Sequence, residues 1–337
     1  MHNKTTGRTS TSCAAITGCG SFVPDKLLTN DDLTHIVDTS DEWITTRTGI
    51  KVRHVTTDEE STAFLAAEAG KRALDHAGVK AEELDLIIVA TITPEMPFPS
   101  TACFVQNTLG ATKAWVFDLA AACSGFVYAL HIVQQFMENG RIEKALVIGA
   151  ETLTKIMNWK DRSSCILFGD GAGAVVLEKK DDGRRGIMYS TLGADGQYWQ
   201  ALTCQAYGSR YPAKNPLPDP AMAMMQIKGR EVYQQAVRRI VDSVTDCLDH
   251  CGLTLDDVKM VISHQMNARI IESAAKRLNL PDDKVFVNIA QYGNTSAASV
   301  PIALDDCARS GRIQRGDILI FVAFGAGVTW GANVIEF

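Results

Sequence analysis

Three side chains here are suited to covalent chemistry: a cysteine opening a helix, a histidine ending a strand and an asparagine before a second helix. Cys123 lies in DLAAACSGF, where a strand ending near Asp118 gives way to a helix whose apolar residues Phe126, Leu130, Val133 and Met137 recur at helical spacing. A thiol at that point meets free N–H groups and the positive end of the helix dipole, and both favour the nucleophilic thiolate. His264, in SHQMN, follows an apolar strand from Val261 to Ser263, and such strand ends commonly face a cleft in α/β proteins. Asn294 lies in YGNTSAAS. Read singly, each has an ordinary explanation: a small buried hydrophobe, a hydrogen-bonded core histidine, a helix cap.

The elements that must position these residues come in two related sets. ALDHAGVKAEELDLIIVAT (73–91) and CLDHCGLTLDDVKMVISHQ (247–265) align without a gap, so that Leu74, Asp75, His76 and Gly78 recur as Leu248, Asp249, His250 and Gly252. Each copy reads as a helix ending at glycine, an acidic turn and a buried strand. A second pair joins 116–142, ending in NGRI, to 287–313, ending in SGRI, with a three-residue slip relative to the first. In that alignment Cys123 stands opposite Asn294, and His264 opposite Ala90. The expectation is two duplicated α/β halves, 13–180 with an insertion at 21–60, and 185–337 with a Pro-rich loop at 193–225 read as a long surface loop. Packed about a pseudo-twofold, they would bring the three side chains to one pocket.

Composition narrows the classes further. The chain has 337 residues, 46% hydrophobic and 21% charged, which suffices for a sizeable core. A net charge of -6 lacks the basic footprint of a general nucleic-acid binder. No apolar run is long enough to span a membrane, and the Thr-rich stretch Met1 to Ser12 lacks the apolar core of a signal peptide. Nine scattered cysteines without a CxxC pair suggest reduced thiols in the cytoplasm. Cys247, His250 and Cys251 have helical spacing that could ligate a metal, but the repeat carries Ala73, His76 and Ala77 there, so packing explains them and no metal is expected. GDGAGA (169–174) lacks the GxGxxG pattern and precedes a strand, so no dinucleotide is expected. No Asp or Glu stands out as a general base near Cys123, which argues against simple hydrolysis.

AACSGF, HQMN and GNTSAAS resemble the three active-site motifs of the β-ketoacyl-acyl carrier protein synthase III family, condensing enzymes that start bacterial fatty-acid synthesis. TSDEWITTRTGI (39–50), FPSTAC (98–103), DRSSCILFGDGAGA (161–174) and AFGAGVTWG (323–331) resemble that family too, in the same order, from about Ala14 to Phe337. The resemblance implies a thiolase-like fold in five αβαβα layers. It implies a ping-pong reaction: Cys123 takes the acyl group of acetyl-CoA or another short acyl-CoA, and malonyl-acyl carrier protein then condenses with it and loses carbon dioxide. His264 and Asn294 would donate hydrogen bonds to the developing enolate, and the backbone N–H groups of Cys123 and Ala326 would form the oxyanion hole.

The resemblance also implies CoA contacts at Thr39, Trp43, Arg47, Arg162, Gly229 and Asn267, with Trp43 and Arg162 sandwiching adenine. Arg269, Lys276 and Arg277 would dock an acidic carrier protein. Phe98 would close the acyl pocket of the other subunit in a homodimer. CoA is a substrate, and no cofactor is implied. Two departures stand out: Met266 replaces a small residue in the histidine motif, and Ala326 stands where glycine is common, which requires a negative φ there. Two other readings share the fold: a related acyltransferase or secondary-metabolite condensing enzyme, and a non-catalytic scaffold.

Overall fold

The computed structural model describes residues 13–183 and 185–337; the stretch from Met1 to Ser12 lies outside the described residues. Two five-stranded mixed sheets share one topology. The first runs Cys13–Phe22, Gly171–Lys180, Lys144–Glu151, Leu86–Ala90, Trp115–Leu119. The second runs Ile187–Ala194, Thr329–Glu336, Ile318–Gly325, Met260–Ser263, Val285–Phe286. In each, the first two pairings are antiparallel and the last two parallel. The interior strands Leu86–Ala90 and Ile318–Gly325 are buried at every position, because helices cover both faces.

Layering follows from three apolar clusters. Helices Thr62–Ala77 and Thr101–Leu109 pack on the outer face of the first sheet. Gly229–Cys251 and Ala268–Leu278 pack on the outer face of the second. Between the sheets lie Gly125–Glu138 and Ser299–Arg309, whose side chains join the inner faces of both sheets in one core. The order is therefore αβαβα, the thiolase-like arrangement. The helix after Cys123 buries Phe126, Leu130, Val133 and Met137 as its periodicity predicts, but also Val127, Ala129 and Gln134, since a sheet lies on either side of it. The repeated helices end at Gly78 (φ 67°) and Gly252 (φ 64°), both left-handed caps as expected.

Two expectations change. The turns before the two central helices are Ala122–Ser124 and Ser296–Ala298, opening on the positive-φ residues Ala122 (46°) and Ser296 (49°). That backbone match puts Cys123 opposite Ala297; Asn294 lies three residues earlier in the chain. The slip arises inside the helices, 14 residues against 11, so an alignment anchored on the motifs after them misplaces the turns before them. Second, 193–225 is not merely a surface loop: Ala201, Met222 and Met225 are buried, and Leu202–Thr203 pairs with Gln226–Ile227. Its apolar residues turn inward because Met225 joins the cluster around Leu153, Ile166 and Phe168. The packing read for Cys247, His250 and Cys251 is found: Cys247 is a core residue, Cys251 lies against the same cluster, and His250 stacks on Tyr189 with ring centroids 3.7 Å apart. The segment after GDG is the strand Gly171–Lys180, as read from the sequence.

Candidate active site

Cys123, His264 and Asn294 line one cavity of about 140 Å³ between the halves. They are 5%, 1% and 6% exposed. Cys123 also borders a second cavity of about 230 Å³, bounded by Ile92, Leu153, Ile156, Phe168 and Met225, so the thiol sits where two apolar chambers meet. The turn carrying Cys123 crosses the second sheet at Gly325, where a Cβ would fall 2.7 Å from the Cys123 nitrogen; only glycine admits that approach. The partner turn crosses the first sheet at Gly149, against Ala297. Thr329 Oγ1 donates between Ala121 O (2.9 Å) and Ala326 O (3.1 Å), tying the cysteine turn to the Gly325–Ala326 corner. Ala326 is not among the residues with positive φ, so its alanine is accommodated without strain.

The hydrogen-bond pattern orients the two amide and imidazole donors. Ser299 Oγ lies 2.6 Å from His264 Nδ1 and accepts the N–H of Gln265 at 3.3 Å. No other acceptor meets the Ser299 hydroxyl among the described residues, so its proton is assigned to Nδ1, which places the proton of neutral His264 on Nε2. Burial pushes the imidazole down to about 3, so it is neutral at physiological pH. Asn294 Oδ1 accepts the N–H of Ser296 at 2.9 Å, which identifies the other side-chain atom as the NH₂ donor. Its backbone is clamped by Leu167 O at 2.8 Å and Gly169 N–H at 3.1 Å. Two neutral donors thus border the cavity that the thiol borders.

The expected thiolate is not favoured by the surroundings of Cys123. Burial pushes the Cys123 thiol up to about 12, assisted by repulsion from Glu151 and opposed by a hydrogen bond from Ser296. Glu151 also corrects the reading that no carboxylate stands near Cys123: it is fully buried and joined to Ser296 Oγ at 3.0 Å. Sequence reading missed it because it is nearly thirty residues along the chain, at the end of the strand Lys144–Glu151. An acidic residue closing an otherwise apolar strand was the available signal. Met266 lines the first cavity.

Outside the cavity, Trp43 holds the guanidinium of Arg47 at 4.3 Å and that of Arg162 at 4.6 Å from its ring centroid. Arg162 also donates to Asp38 O at 2.7 Å, and the neighbouring Thr39 hydroxyl is buried without a hydrogen-bond partner. Asn267 caps the helix Ala268–Leu278 and donates to Arg47 O at 3.1 Å, linking this surface cluster to the cavity that Asn267 and Gly229 line. Arg269 is exposed and donates to Thr46 O at 2.9 Å, while Lys276 and Arg277 are exposed at the far end of the same helix. Phe98 is 83% exposed and lines neither cavity of its own chain.

A nucleophilic sulfur facing two neutral donors at the junction of two thiolase-like halves defines an acyl-transferring condensing enzyme. Models of the 3-oxoacyl-[acyl-carrier-protein (ACP)] synthase III family match residues 117–196, and those of its C-terminal part match 248–337. The chain is 55% identical over 324 residues to beta-ketoacyl-[acyl-carrier-protein] synthase III of Caldanaerobacter subterraneus subsp. tengcongensis, covering 96% of this chain and 97% of that one. Among solved structures, 3-oxoacyl-[acyl-carrier-protein] synthase III of Aquifex aeolicus superposes with a TM-score of 0.89 at 45% identity, covering 96% and 100%. The priming β-ketosynthase of the R1128 polyketide biosynthetic pathway superposes with a TM-score of 0.89 at 34% identity, covering 96% of each chain. The chain belongs to the 3-oxoacyl-[acyl-carrier-protein] synthase III family.

Proposed function

We propose that this enzyme starts fatty-acid synthesis by condensing acetyl-CoA, or another short acyl-CoA, with malonyl-acyl carrier protein. The observation that carries the reading is the shared cavity of Cys123, His264 and Asn294. The Cys123 sulfur attacks the acyl-CoA carbonyl carbon, and the backbone N–H groups of Cys123 and Ala326 receive the oxyanion. CoA leaves as its thiol, carrying the proton that Cys123 gives up, and the acyl group stays on the Cys123 sulfur. Malonyl thioester then enters; the Nε2–H of His264 and the NH₂ of Asn294 donate to its carbonyl oxygen as the carboxylate departs as carbon dioxide. Electron density from the broken C–C bond flows into that carbonyl as an enolate, whose carbon attacks the acyl-Cys and releases the thiolate. Neutral donors suit this step, because a carboxylate in the place of either would repel the malonyl carboxylate and the enolate alike.

Thr39, Trp43, Arg47 and Arg162 form the outer CoA site, with Asn267 and Gly229 along the inner passage. An adenine ring would take over a Trp43 face now held by a guanidinium. Trp43→Ala is expected to raise KM for acyl-CoA about tenfold with kcat little changed, as for a binding contact removed uniformly; initial rates over an acyl-CoA series measure both. Arg269, Lys276 and Arg277 form the carrier-protein dock. An exposed phenylalanine at position 98 is suited to a homodimer in which it closes the partner's acyl chamber. The halves divide at 180/185, each sheet drawing its strands from one side of that boundary. The protein is cytoplasmic and uses no cofactor, the CoA thioester being a substrate.

The deciding experiment is sequential. Intact-mass spectrometry after acetyl-CoA treatment should show one acyl adduct on Cys123, and malonyl-acyl carrier protein should then discharge it with one carbon dioxide per β-ketoacyl product. An adduct that leaves without carbon dioxide would identify an acyltransferase, and no adduct a scaffold. The likeness to a polyketide priming synthase keeps the acceptor's pathway a matter for this product analysis.

A further inference from the structure

The insertion 21–60 reaches the active site from behind. Its strand Val52–His54 pairs with Leu27–Thr29 and lies against the two segments that hold Asn294. The Lys51 N–H donates to Ala290 O at 3.0 Å, and His54 O accepts the Asp170 N–H at 2.9 Å. Between these ties runs the Arg53 side chain, fully buried. Its stem fills the groove between Gly169 and Gly293, where an added Cβ would fall 3.2 Å from Arg53 Cβ and Cγ respectively. Its guanidinium donates to Asn30 Oδ1 at 2.7 Å, to Ile166 O at 2.5 Å and to Leu28 O at 3.5 Å, while Nε has no hydrogen-bond partner among the described residues. Burial lowers the guanidinium only to about 10, so it is charged at physiological pH. A buried cation held by neutral oxygens instead of a carboxylate is costly, and it has little freedom to shift off the acceptors that repay that cost.

Those contacts bear on where Asn294 stands. Ile166 O, which Arg53 holds, is one residue before Leu167, whose carbonyl accepts the Asn294 N–H, and Asn294 O accepts the N–H of Gly169, whose Cα the Arg53 stem packs against. Phe168 and Asn294 thus pair as an isolated parallel bridge with Arg53 on its far side. We infer that Arg53 is a positioning residue for the condensation half-reaction: through 166–169 and the Gly293 turn it fixes the Asn294 NH₂ at the enolate oxygen. The inference rests on the reading of Asn294 as a donor in that step. The Cys123 turn is held elsewhere, by Thr329 at the Gly325–Ala326 corner, so acylation does not depend on Arg53. That asymmetry separates positioning of the amide from general support of the fold.

The test reads the two half-reactions separately on Arg53→Met, which keeps an apolar stem and removes the fork. Single-turnover acylation at saturating acetyl-CoA, followed by intact mass, should stay within a few-fold of wild type. Carbon dioxide release from malonyl-acyl carrier protein on the acylated enzyme should fall about 30-fold, the scale of loss for a displaced reacting group. Added to Asn294→Ala, Arg53→Met should cost nothing further, because the amide it positions is already gone. Arg53→Lys, which retains the charge but cannot reach Asn30 and Ile166 together, should show the same split with about a 10-fold loss, and it decides the matter if the methionine variant does not fold. Equal losses in both half-reactions, condensation at the wild-type rate, or a double variant slower than Asn294→Ala by the full Arg53→Met factor overturns the role. An Asn294→Ala enzyme that itself condenses normally would withdraw the reading of that amide, and the role of Arg53 with it; where Asn294→Ala is impaired, the Arg53 variants judge Arg53 alone.

Discussion

Cys123→Ala is expected to abolish acyl-enzyme formation and to lower condensation by roughly a thousandfold or more. The substitution removes about one atom from a site already 5% exposed, so the fold should survive and the loss be chemical. Cys123→Ser is the sharper variant. A hydroxyl fits the same position, but its oxygen is a far weaker nucleophile, so it too should fail to acylate. The quantity to measure is adduct mass on the purified protein after acetyl-CoA, alongside product formation with malonyl-acyl carrier protein. An alanine variant that still condenses at a tenth of the normal rate would remove the covalent intermediate from the mechanism.

His264→Ala and Asn294→Ala should separate the two half-reactions. Each removes one donor to the oxygen on which enolate charge builds, a loss of roughly 10²–10³ in the condensation rate. Acylation by acetyl-CoA relies on the backbone donors of Cys123 and Ala326 and should persist. Asn294→Asp should be worse than alanine, since it replaces a donor by a carboxylate beside a second carboxylate. Because burial holds His264 near 3, its loss should not reshape the condensation profile between pH 6 and 8. Stopped acylation and carbon dioxide release, measured separately on each variant, check this; a His264→Ala enzyme that decarboxylates malonyl carrier protein at the normal rate would void the assigned role.

Much of the local structure was legible before any coordinates. Helical spacing in Phe126, Leu130, Val133 and Met137, and continuous apolar strands at 86–90 and 318–323, encode burial directly. The glycines at 78 and 252 mark helix ends because only a left-handed residue stops them without strain. The three reactive side chains could be picked by type and by their places at element ends. The correspondence of Cys123 with Asn294 could not be settled that way, because a helix shortened by three residues looks, in an ungapped comparison, like an offset of everything before it.

By itself the sequence determined the duplication, the kinds of elements, and the sulfur, imidazole and carboxamide available for chemistry, since periodicity and end signals act over a few neighbouring residues. The tertiary structure alone decided which groups surround the sulfur. Burial between two sheets, not the helix end, governs the thiol's proton; Glu151 and Ser296 pair beside it; Ser299 meets the histidine at Nδ1; and 202–225 folds inward to wall the second cavity. Desolvation and hydrogen-bond geometry depend on what packs against a group in space, and that information is spread over segments well separated along the chain.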